Sequence, residues 1–182
     1  MMDRELLLEI EQKAKHDGIA TVPEAVGQLL SVLATAMQAN RILEIGTGYG
    51  YATLHMALAQ PPAGKIWTFD PYIERTEAAR QFFDRAGVGD CIEIINQPAL
   101  EVLHIFPQRN LDIAFIDAPR SDYAEYLKQC LHVLKLSGLV ILNGLTADDE
   151  TDAFNDAFLK HPQLEATILP LGAGLGIGAR KA

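Results

Sequence analysis

A glycine-rich segment, Glu44–Gly50 (EIGTGYG), lies between an apolar run and a segment of helical character. Glycines let the chain turn sharply, and they let a ligand approach the backbone without meeting a Cβ atom. The N-terminus of the following helix offers free N–H groups and a positive potential. Asp70 ends the next apolar run, 20 residues after Gly50, where an acidic side chain can accept hydrogen bonds from both ribose hydroxyls. This spacing indicates a site for a ligand that contains a nucleoside.

Two other interpretations of the turn stay open. The segment can be a tight connection whose glycines serve only the backbone. It can also belong to a dinucleotide-binding protein, whose G-x-G-x-x-G fingerprint here requires glycines at positions 46, 48 and 51. Position 51 is Tyr51, so the fingerprint fails. NAD is therefore disfavoured, because its pyrophosphate needs that close approach to the backbone, whereas a carboxylate and a sulfonium group do not.

Strand-like and helix-like segments alternate along most of the chain, as is typical of parallel βαβ units. Residues 1–38 are predicted to form two N-terminal helices, the second opened by a capping box of Thr21 and Glu24. The predicted strands of the remainder are Arg41–Ile45, Lys65–Asp70, Cys91–Ile95, Leu111–Asp117 and Leu139–Leu142. The predicted helices between them are Tyr51–Gln60, Ile73–Ala86, Ala99–Phe106 and Asp122–Leu134, the last one ended by Ser137-Gly138.

The end of the chain has a different pattern. After a predicted helix at Asp149–Lys160, two strand-like runs, Leu164–Pro170 and Leu175–Ala179, are joined by only four residues. A connection that short requires an antiparallel hairpin. We therefore predict an α/β fold with a Rossmann-like, doubly wound seven-stranded sheet, mostly parallel with an antiparallel last strand and helices on both faces. Residues 1–182 are expected to form a single domain, with 39–182 as its core.

Composition limits the partners. The net charge of −9 disfavours nucleic acid and anionic membranes, because phosphates would be repelled over most of the surface. The N-terminus lacks the bases and the long apolar run of a signal peptide, and no segment approaches the ~18 apolar residues of a membrane span. Cys91 and Cys130 are expected to be small apolar fillers in a reducing compartment. We expect a cytoplasmic protein that acts on a small molecule.

Several motifs, in order, resemble those of small-molecule O-methyltransferases of the catechol and caffeoyl-CoA type and their bacterial relatives. The family pattern I-L-E-I-G-T-x-T-G-Y-S is similar to ILEIGTGYGYA at Ile42–Ala52, and its Gly-Gln-x-L helix entry is similar to Val26–Leu30. Its F-I-D-A-D-K-x-x-Y motif is similar to Phe115–Tyr123, and its L-P-x-G-x-G-L ending to Leu169–Leu175. The resemblance covers about Val22 to Lys181.

The resemblance implies S-adenosylmethionine (SAM) as the cofactor, and it implies roles for individual residues. Glu44 and the backbone of Gly46, Thr47, Gly48 and Gly50, together with Tyr51, would hold the methionine part. Asp70 would bind the ribose. Gln97 and Ala99 would edge the adenine, and Asp117 would lie beside the sulfonium.

The sequence departs from the family where the family holds a divalent metal. That metal is bound by the fourth-strand Asp and by an Asp-Asn pair after the fifth strand; here these positions are Asp117, Asn143 and Gly144. Hard cations depend on charged oxygen donors, so we predict no metal site. The family's Lys, which takes the substrate proton, is replaced by Arg120, whose pKa prevents it from acting as a base. Arg120 could instead clamp a carboxylate or phosphate on the acceptor.

The sequence thus predicts metal-independent methyl transfer from SAM to a hydroxyl group of a small-molecule acceptor. A homodimer is also expected. Asp117, Arg120 and Tyr123 are the candidate catalytic residues, with Asp117 the first candidate base and Tyr123 the second. The alternative is a cofactor-binding or interaction protein of the same fold that has lost its chemistry. The altered metal positions and Arg120 favour this alternative.

Overall fold

The computed structural model describes residues 4–146 and 152–182. It contains a seven-stranded sheet with the strand order β3-β2-β1-β4-β5-β7-β6. The strands are β1 Arg41–Ile45, β2 Lys65–Phe69, β3 Ile92–Ile95, β4 Leu111–Ile116, β5 Leu134–Asn143, β6 Leu164–Leu169 and β7 Leu175–Arg180. The pairs among β1–β5 are parallel, whereas β7 is antiparallel to both β5 and β6. The predicted fold class is confirmed.

Helices cover both faces of the sheet. They are α1 Arg4–His16, α2 Glu24–Ala36, α3 Tyr51–Ala57, α4 Ile73–Arg85, α5 Ala99–Val102, α6 Tyr123–Val133 and α7 Asp152–Leu159. Successive side chains of a strand point to opposite faces, and the central strands are largely apolar on both faces, with Glu44, Thr68 and Asp112 as buried polar exceptions. In β1, Ile42 packs into the core beneath α1–α4, and Leu43 packs into the core beneath α5–α7. The largely apolar central strands therefore mark a sheet that is buried on both sides.

Two local predictions are wrong. The residue at the N-cap of α2 is Pro23, without a side-chain cap; Glu24 instead accepts a hydrogen bond from Gln28 Nε2 at 2.9 Å. The capping box fails because the helix begins at Glu24, so Thr21 lies two residues before the N-cap position.

The second error concerns the fifth strand. The sequence predicts a helix to Leu134 and a strand only from Leu139, but α6 ends at Val133 and β5 begins at Leu134. Leu134 pairs with Leu111 of β4, and the register shifts before Leu139 pairs with Ile113. Ser137, with φ 63°, lies in this irregular stretch. The two residues expected to stop a helix therefore form an irregularity within a strand, because the edge of β4 supplies the hydrogen-bond partners.

Other boundaries differ by a few residues: α3 ends at Ala57, and α5 is followed by a 3-10 turn at Leu103–Ile105. The start of the predicted helix Asp149–Lys160 lies outside the described residues. Within the described part of the chain, no helix is long and apolar enough to cross a membrane.

Candidate active site at the carboxyl ends of the strands

The glycine turn connects β1 to α3 at the edge of the sheet where the parallel strands end. Gly46 N donates to Phe69 O at 2.8 Å, and Asp117 N donates to Ile45 O at 2.8 Å. Gly46 has φ +100°, and a Cβ atom there would lie 2.0 Å from the Asp117 carbonyl oxygen. A residue without a Cβ therefore brings the end of β1 against the end of β4.

Asp70 secures this turn from the end of β2. Its Oδ2 accepts a hydrogen bond from Gly48 N at 2.8 Å, and its Oδ1 accepts one from Tyr72 N at 2.9 Å. Only 5% of Asp70 is exposed. The residue predicted to bind a ribose thus lies at the turn itself, with each carboxylate oxygen oriented by a backbone N–H.

A first cleft, of about 150 Å³, opens over the turn. Its lining includes residues predicted to bind the cofactor and residues that precede α2. They are Ala20, Thr21, Val22, Gly46, Thr47, Gly48, Tyr51, Asp70 and Asp117. Gly50 is not among its lining residues, and it forms the N-cap of α3 with φ 84°. Tyr49 beside it donates to Asp17, which anchors the turn to the C-terminal end of α1.

Glu44 lies under the turn and not in the cleft. It is fully buried, and it accepts hydrogen bonds from the hydroxyls of Thr53 and Thr68, the latter at 2.6 Å. Burial raises the pKa of Glu44 to about 8; the two threonine hydrogen bonds oppose this, and the charges of Asp117 and Asp70 add to it. A carboxyl group of this kind is mostly protonated near neutrality. Its hydrogen bonds with Thr53 and Thr68 connect the end of β1 to α3 and to β2.

A second cleft, of about 440 Å³, lies on the other side of Asp70. Ala99 lines it and is buried, whereas Gln97 is exposed and is not among the lining residues. Tyr72 and Arg75 also line it, with the Arg75 guanidinium 4.1 Å from the Tyr72 ring centroid. Sequence reasoning missed this stacked pair. The available signal was an aromatic residue two positions after the acid that ends β2, a place where a flat base can stack.

A third cleft, of about 660 Å³, extends from Asp117 away from the glycine turn. Asp117, Arg120, Tyr123, Asn143 and Gly144 all line it. Asn143 Nδ2 donates to Asp117 Oδ1 at 3.0 Å, and Tyr123 Oη donates to the Asn143 carbonyl at 2.5 Å. The ends of β4 and β5 are thereby joined through side chains, and the three predicted catalytic residues share one cavity.

The electrostatics separate the two candidate bases. Desolvation raises the pKa of Asp117, while the Asn143 hydrogen bond and the Arg120 charge lower it. A carboxylate in such surroundings is a stronger base than a solvated one. Burial also raises the pKa of Tyr123, and its hydroxyl is directed at a backbone carbonyl. The geometry therefore favours Asp117 over Tyr123.

Arg120 lies across Gly144. A Cβ atom at Gly144 would lie 3.0 Å from Arg120 Nε and 3.1 Å from Nη2. The guanidinium thus occupies the space into which a side chain at position 144 would extend. Arg120 stands at the start of a 3-10 turn, Arg120–Asp122, directly after Pro119.

The metal that the resemblance implies does not fit these residues. Gly144 supplies no ligand, and the guanidinium beside its Cα brings a positive charge to the position of the cation. Asn143 Oδ1, which is buried and accepts no hydrogen bond within the described residues, would suit a cation. Against it, Asp117 is the only carboxylate that lines this cleft among residues 4–146 and 152–182, and hard cations are held mainly by charged oxygens.

Asp117 lines all three clefts, so it marks the point at which they meet. The sheet order with its reversed β7, the glycine turn after β1 and the acid after β2 define a Rossmann-like methyltransferase. In open α/β sheets, ligands bind outside the carboxyl ends of the strands, where the strand order reverses. Here that reversal lies between β1 and β4.

Comparison with known proteins identifies the family. Residues 2–181 match the O-methyltransferase family, and the chain belongs to it. It is 30% identical over 155 residues to a catechol O-methyltransferase from Mycobacterium tuberculosis. The aligned region covers 79% of this chain and 70% of that protein. It is 31% identical over 195 residues to a caffeoyl-CoA O-methyltransferase from Petroselinum crispum. The aligned region covers 93% of this chain and 81% of that protein.

Solved structures of methyltransferases have the same fold as this chain. A methyltransferase from Geobacter sulfurreducens is 25% identical with a TM-score of 0.91, covering 100% of this chain and 91% of that one. The O-methyltransferase TomG from Streptomyces achromogenes, solved in complex with SAM, is 25% identical with a TM-score of 0.87, covering 100% of this chain and 92% of that one. The resemblance found in the sequence motifs is confirmed.

Proposed function

We propose that this O-methyltransferase transfers the methyl group of SAM to a hydroxyl group of a small molecule, without a divalent metal. The supporting observation is the meeting of three clefts at Asp117. The cleft over the glycine turn takes the methionine part of SAM, and the cleft of Tyr72 and Ala99 takes the adenosine. The third cleft takes the acceptor.

When bound, SAM supplies a methyl group on a reactive sulfonium. The residues of this chain hold the acceptor oxygen in line with that methyl group, and such orientation can supply much of the rate. Transfer would form the C–O bond of the product and break the C–S bond of SAM, whose electron pair would stay on sulfur in S-adenosylhomocysteine. Asp117 accepts the hydroxyl proton, and Asn143 holds the Asp117 carboxylate in place through its 3.0 Å hydrogen bond.

The proposal of metal independence is supported by the described residues of the acceptor cleft. Arg120 places a permanent positive charge over Gly144, so a cation bound there would be repelled. The same charge can stabilise negative charge that develops on the acceptor.

Calorimetry with SAM, S-adenosylhomocysteine and NAD tests the cofactor, and methyl transfer from labelled SAM to a panel of phenols, with EDTA or Mg²⁺, tests the reaction. We expect binding of the two methionine-derived ligands, no binding of NAD, and turnover that EDTA does not abolish. Cofactor binding without turnover of any acceptor would support the alternative of a protein that has lost its chemistry.

We further propose that the protein is cytoplasmic and forms a homodimer through its first two helices. Support comes from two free cysteines and from exposed apolar side chains, Leu8 on α1 and Val32 on α2. Sedimentation of the native chain and of Val32→Asp tests the dimer; a native monomer would contradict it.

A further inference from the structure

His55 of α3 is a buried titratable side chain that the proposed reaction does not use. Only 1% of it is exposed. Its ring faces α2 at Gly27, where a Cβ atom would lie 2.6 Å from both the Cδ2 and the Nε2 atoms of the imidazole. The absence of a side chain at Gly27 therefore lets α2 close directly over the ring, which is enclosed between the two helices.

Ser31 of α2 determines which ring nitrogen carries the proton. Its hydroxyl has one proton, and the shortest of its contacts is the hydrogen bond that it donates to the His55 carbonyl oxygen at 2.9 Å. The Ser31 oxygen then accepts a hydrogen bond from Nδ1–H of the ring at 3.2 Å. In this tautomer Nε2 is unprotonated, and it is buried with no hydrogen-bond partner among the described residues. A proton added at Nε2 would create a buried charge without an acceptor, which is costly.

The charged groups around the ring do not compensate for this cost. Glu24 of α2 accepts a hydrogen bond from Gln28 Nε2 at 2.9 Å. Burial raises the pKa of the neighbouring Tyr51 on α3, and a hydrogen bond to Glu11 of α1 adds to this. Desolvation lowers the pKa of His55 from its ordinary value of 6.5, and the charges of Glu24 and Glu11 oppose this only in part. The imidazole is therefore neutral near pH 7.

The interface around His55 borders the cofactor cleft. Tyr51, whose ring centroid lies 5.0 Å from that of His55, lines the cleft over the glycine turn. Residues 19–22, which lead into α2, line the same cleft. Two walls of the cleft thus depend on the packing of α2 against α3, and that packing favours the neutral imidazole.

We propose that His55 is a positioning residue for the cofactor: as a neutral imidazole it holds α2 and Tyr51 in the arrangement that binds SAM, and its protonation weakens that binding. The inference rests on the proposed function, because it takes the cleft over the glycine turn as part of the cofactor site. Coupling between two binding events is reciprocal, so the bound cofactor must in turn weaken the binding of a proton to His55. The effect belongs to the range below pH 6.5, the ordinary pKa of a histidine.

Calorimetry with S-adenosylhomocysteine between pH 5.5 and 7.5 tests this coupling. We expect the native chain to bind about fivefold or more weakly at pH 5.5 than at pH 7.5, the lower end of typical coupling between two sites. His55→Asn keeps an N–H donor toward Ser31 but cannot gain a proton, so its affinity should change by less than about twofold over this range. His132→Asn is the matched control, because His132 is an exposed residue of α6 outside the lining of all three clefts. It should retain the native pH dependence.

A second measurement needs only the native chain. An NMR titration of its five histidine rings gives the pKa of His55 with and without S-adenosylhomocysteine, and we expect the ligand to lower it. A pKa that the ligand leaves unchanged, or a native pH dependence that persists in His55→Asn, overturns the inference. Native binding that is independent of pH also overturns it and leaves the proposed function intact, whereas no binding at any pH would contradict both.

Discussion

The two sides of the active site are built differently. On the cofactor side, formed by the glycine turn and Asp70, backbone groups make the contacts: Gly48 N and Tyr72 N donate to Asp70, and Gly46 lies against the Asp117 carbonyl. On the acceptor side, formed by Asp117, Arg120, Asn143 and Gly144, side chains make the contacts, such as the 3.0 Å hydrogen bond from Asn143 to Asp117.

This difference explains which half of the family pattern survives. A site made of backbone contacts depends on glycine positions and on one acid, and one altered position can break it. A site made of side chains can exchange one set of charges for another. On the acceptor side, the resemblance aligns Asn143 with a carboxylate of the family pattern, and Arg120 crosses the position at which Gly144 lacks a side chain. The predictions below test the contrast, from the largest expected effect to the smallest.

Gly46→Ala should destabilise the fold by about 3–5 kcal/mol. Its Cβ would lie 2.0 Å from the Asp117 carbonyl oxygen at a φ of +100°, so both backbone strain and a steric clash oppose it. Gly48→Ala is the matched control: φ there is +52° with no atom within 4 Å of the new Cβ, so about 1–2 kcal/mol is expected. Chemical denaturation measures both, and equal losses would refute the close-approach argument.

Asp70→Ala should weaken SAM binding by about 1.5–3 kcal/mol, the range for hydrogen bonds to a charged group. The loss includes the ligand contact and the hydrogen bond that Gly48 N donates at 2.8 Å. Calorimetry measures the affinity, and Asp70→Asn should lose less, because it retains an oxygen acceptor. An unchanged affinity in the alanine variant would mean that Asp70 is not a ligand contact.

Glu44→Gln should change the pH dependence of stability. The folded-state pKa of about 8 lies above the ordinary value of 4.5. Between these values the folded chain holds a proton that the unfolded chain has lost, so the free energy of unfolding falls as pH rises. Glutamine mimics the protonated form, so the variant should gain at least about 1 kcal/mol over the native chain from pH 5 to 8, or about 2–4 °C in melting temperature.

The control for this measurement is Glu77→Gln, which changes an exposed carboxylate of α4. Thermal melts without cofactor at pH 5, 6, 7 and 8 give the comparison. Parallel curves for native chain and Glu44→Gln would show that Glu44 is ionised in the folded protein, which would contradict its proposed role as a neutral support.

The smallest effect on methyl transfer is expected when divalent metal ions are removed. Native methyl transfer should be unchanged in EDTA.

The double variant Asn143→Asp/Gly144→Asn should still bind Mg²⁺ weakly, because the new side chain at 144 meets the Arg120 guanidinium. Adding Arg120→Ala should strengthen Mg²⁺ binding, because it removes the repelling charge and opens the space; titration calorimetry measures it. Native activity lost in EDTA and restored by micromolar Mg²⁺ would contradict the assignment.

The sequence by itself determined the fold class and the location of the site. The alternation of strand-like and helix-like segments predicted a mostly parallel sheet with helices on both faces. The four-residue link between the last two strands required the hairpin, and Gly46–Gly50 with Asp70 predicted the turn. These signals are local, since periodicity, turn length and glycine placement act within a few residues of the chain.

Only the tertiary structure decided what depends on distant partners. The strand β5 begins at Leu134, because β4 offers its edge there. Glu44 lies beneath the turn with Thr53 and Thr68 around it. Arg120 occupies the space beside Gly144, 24 residues further along the chain. The physical reason is the same in each case: burial, desolvation and charge pairing are set by groups that meet only when the chain is folded.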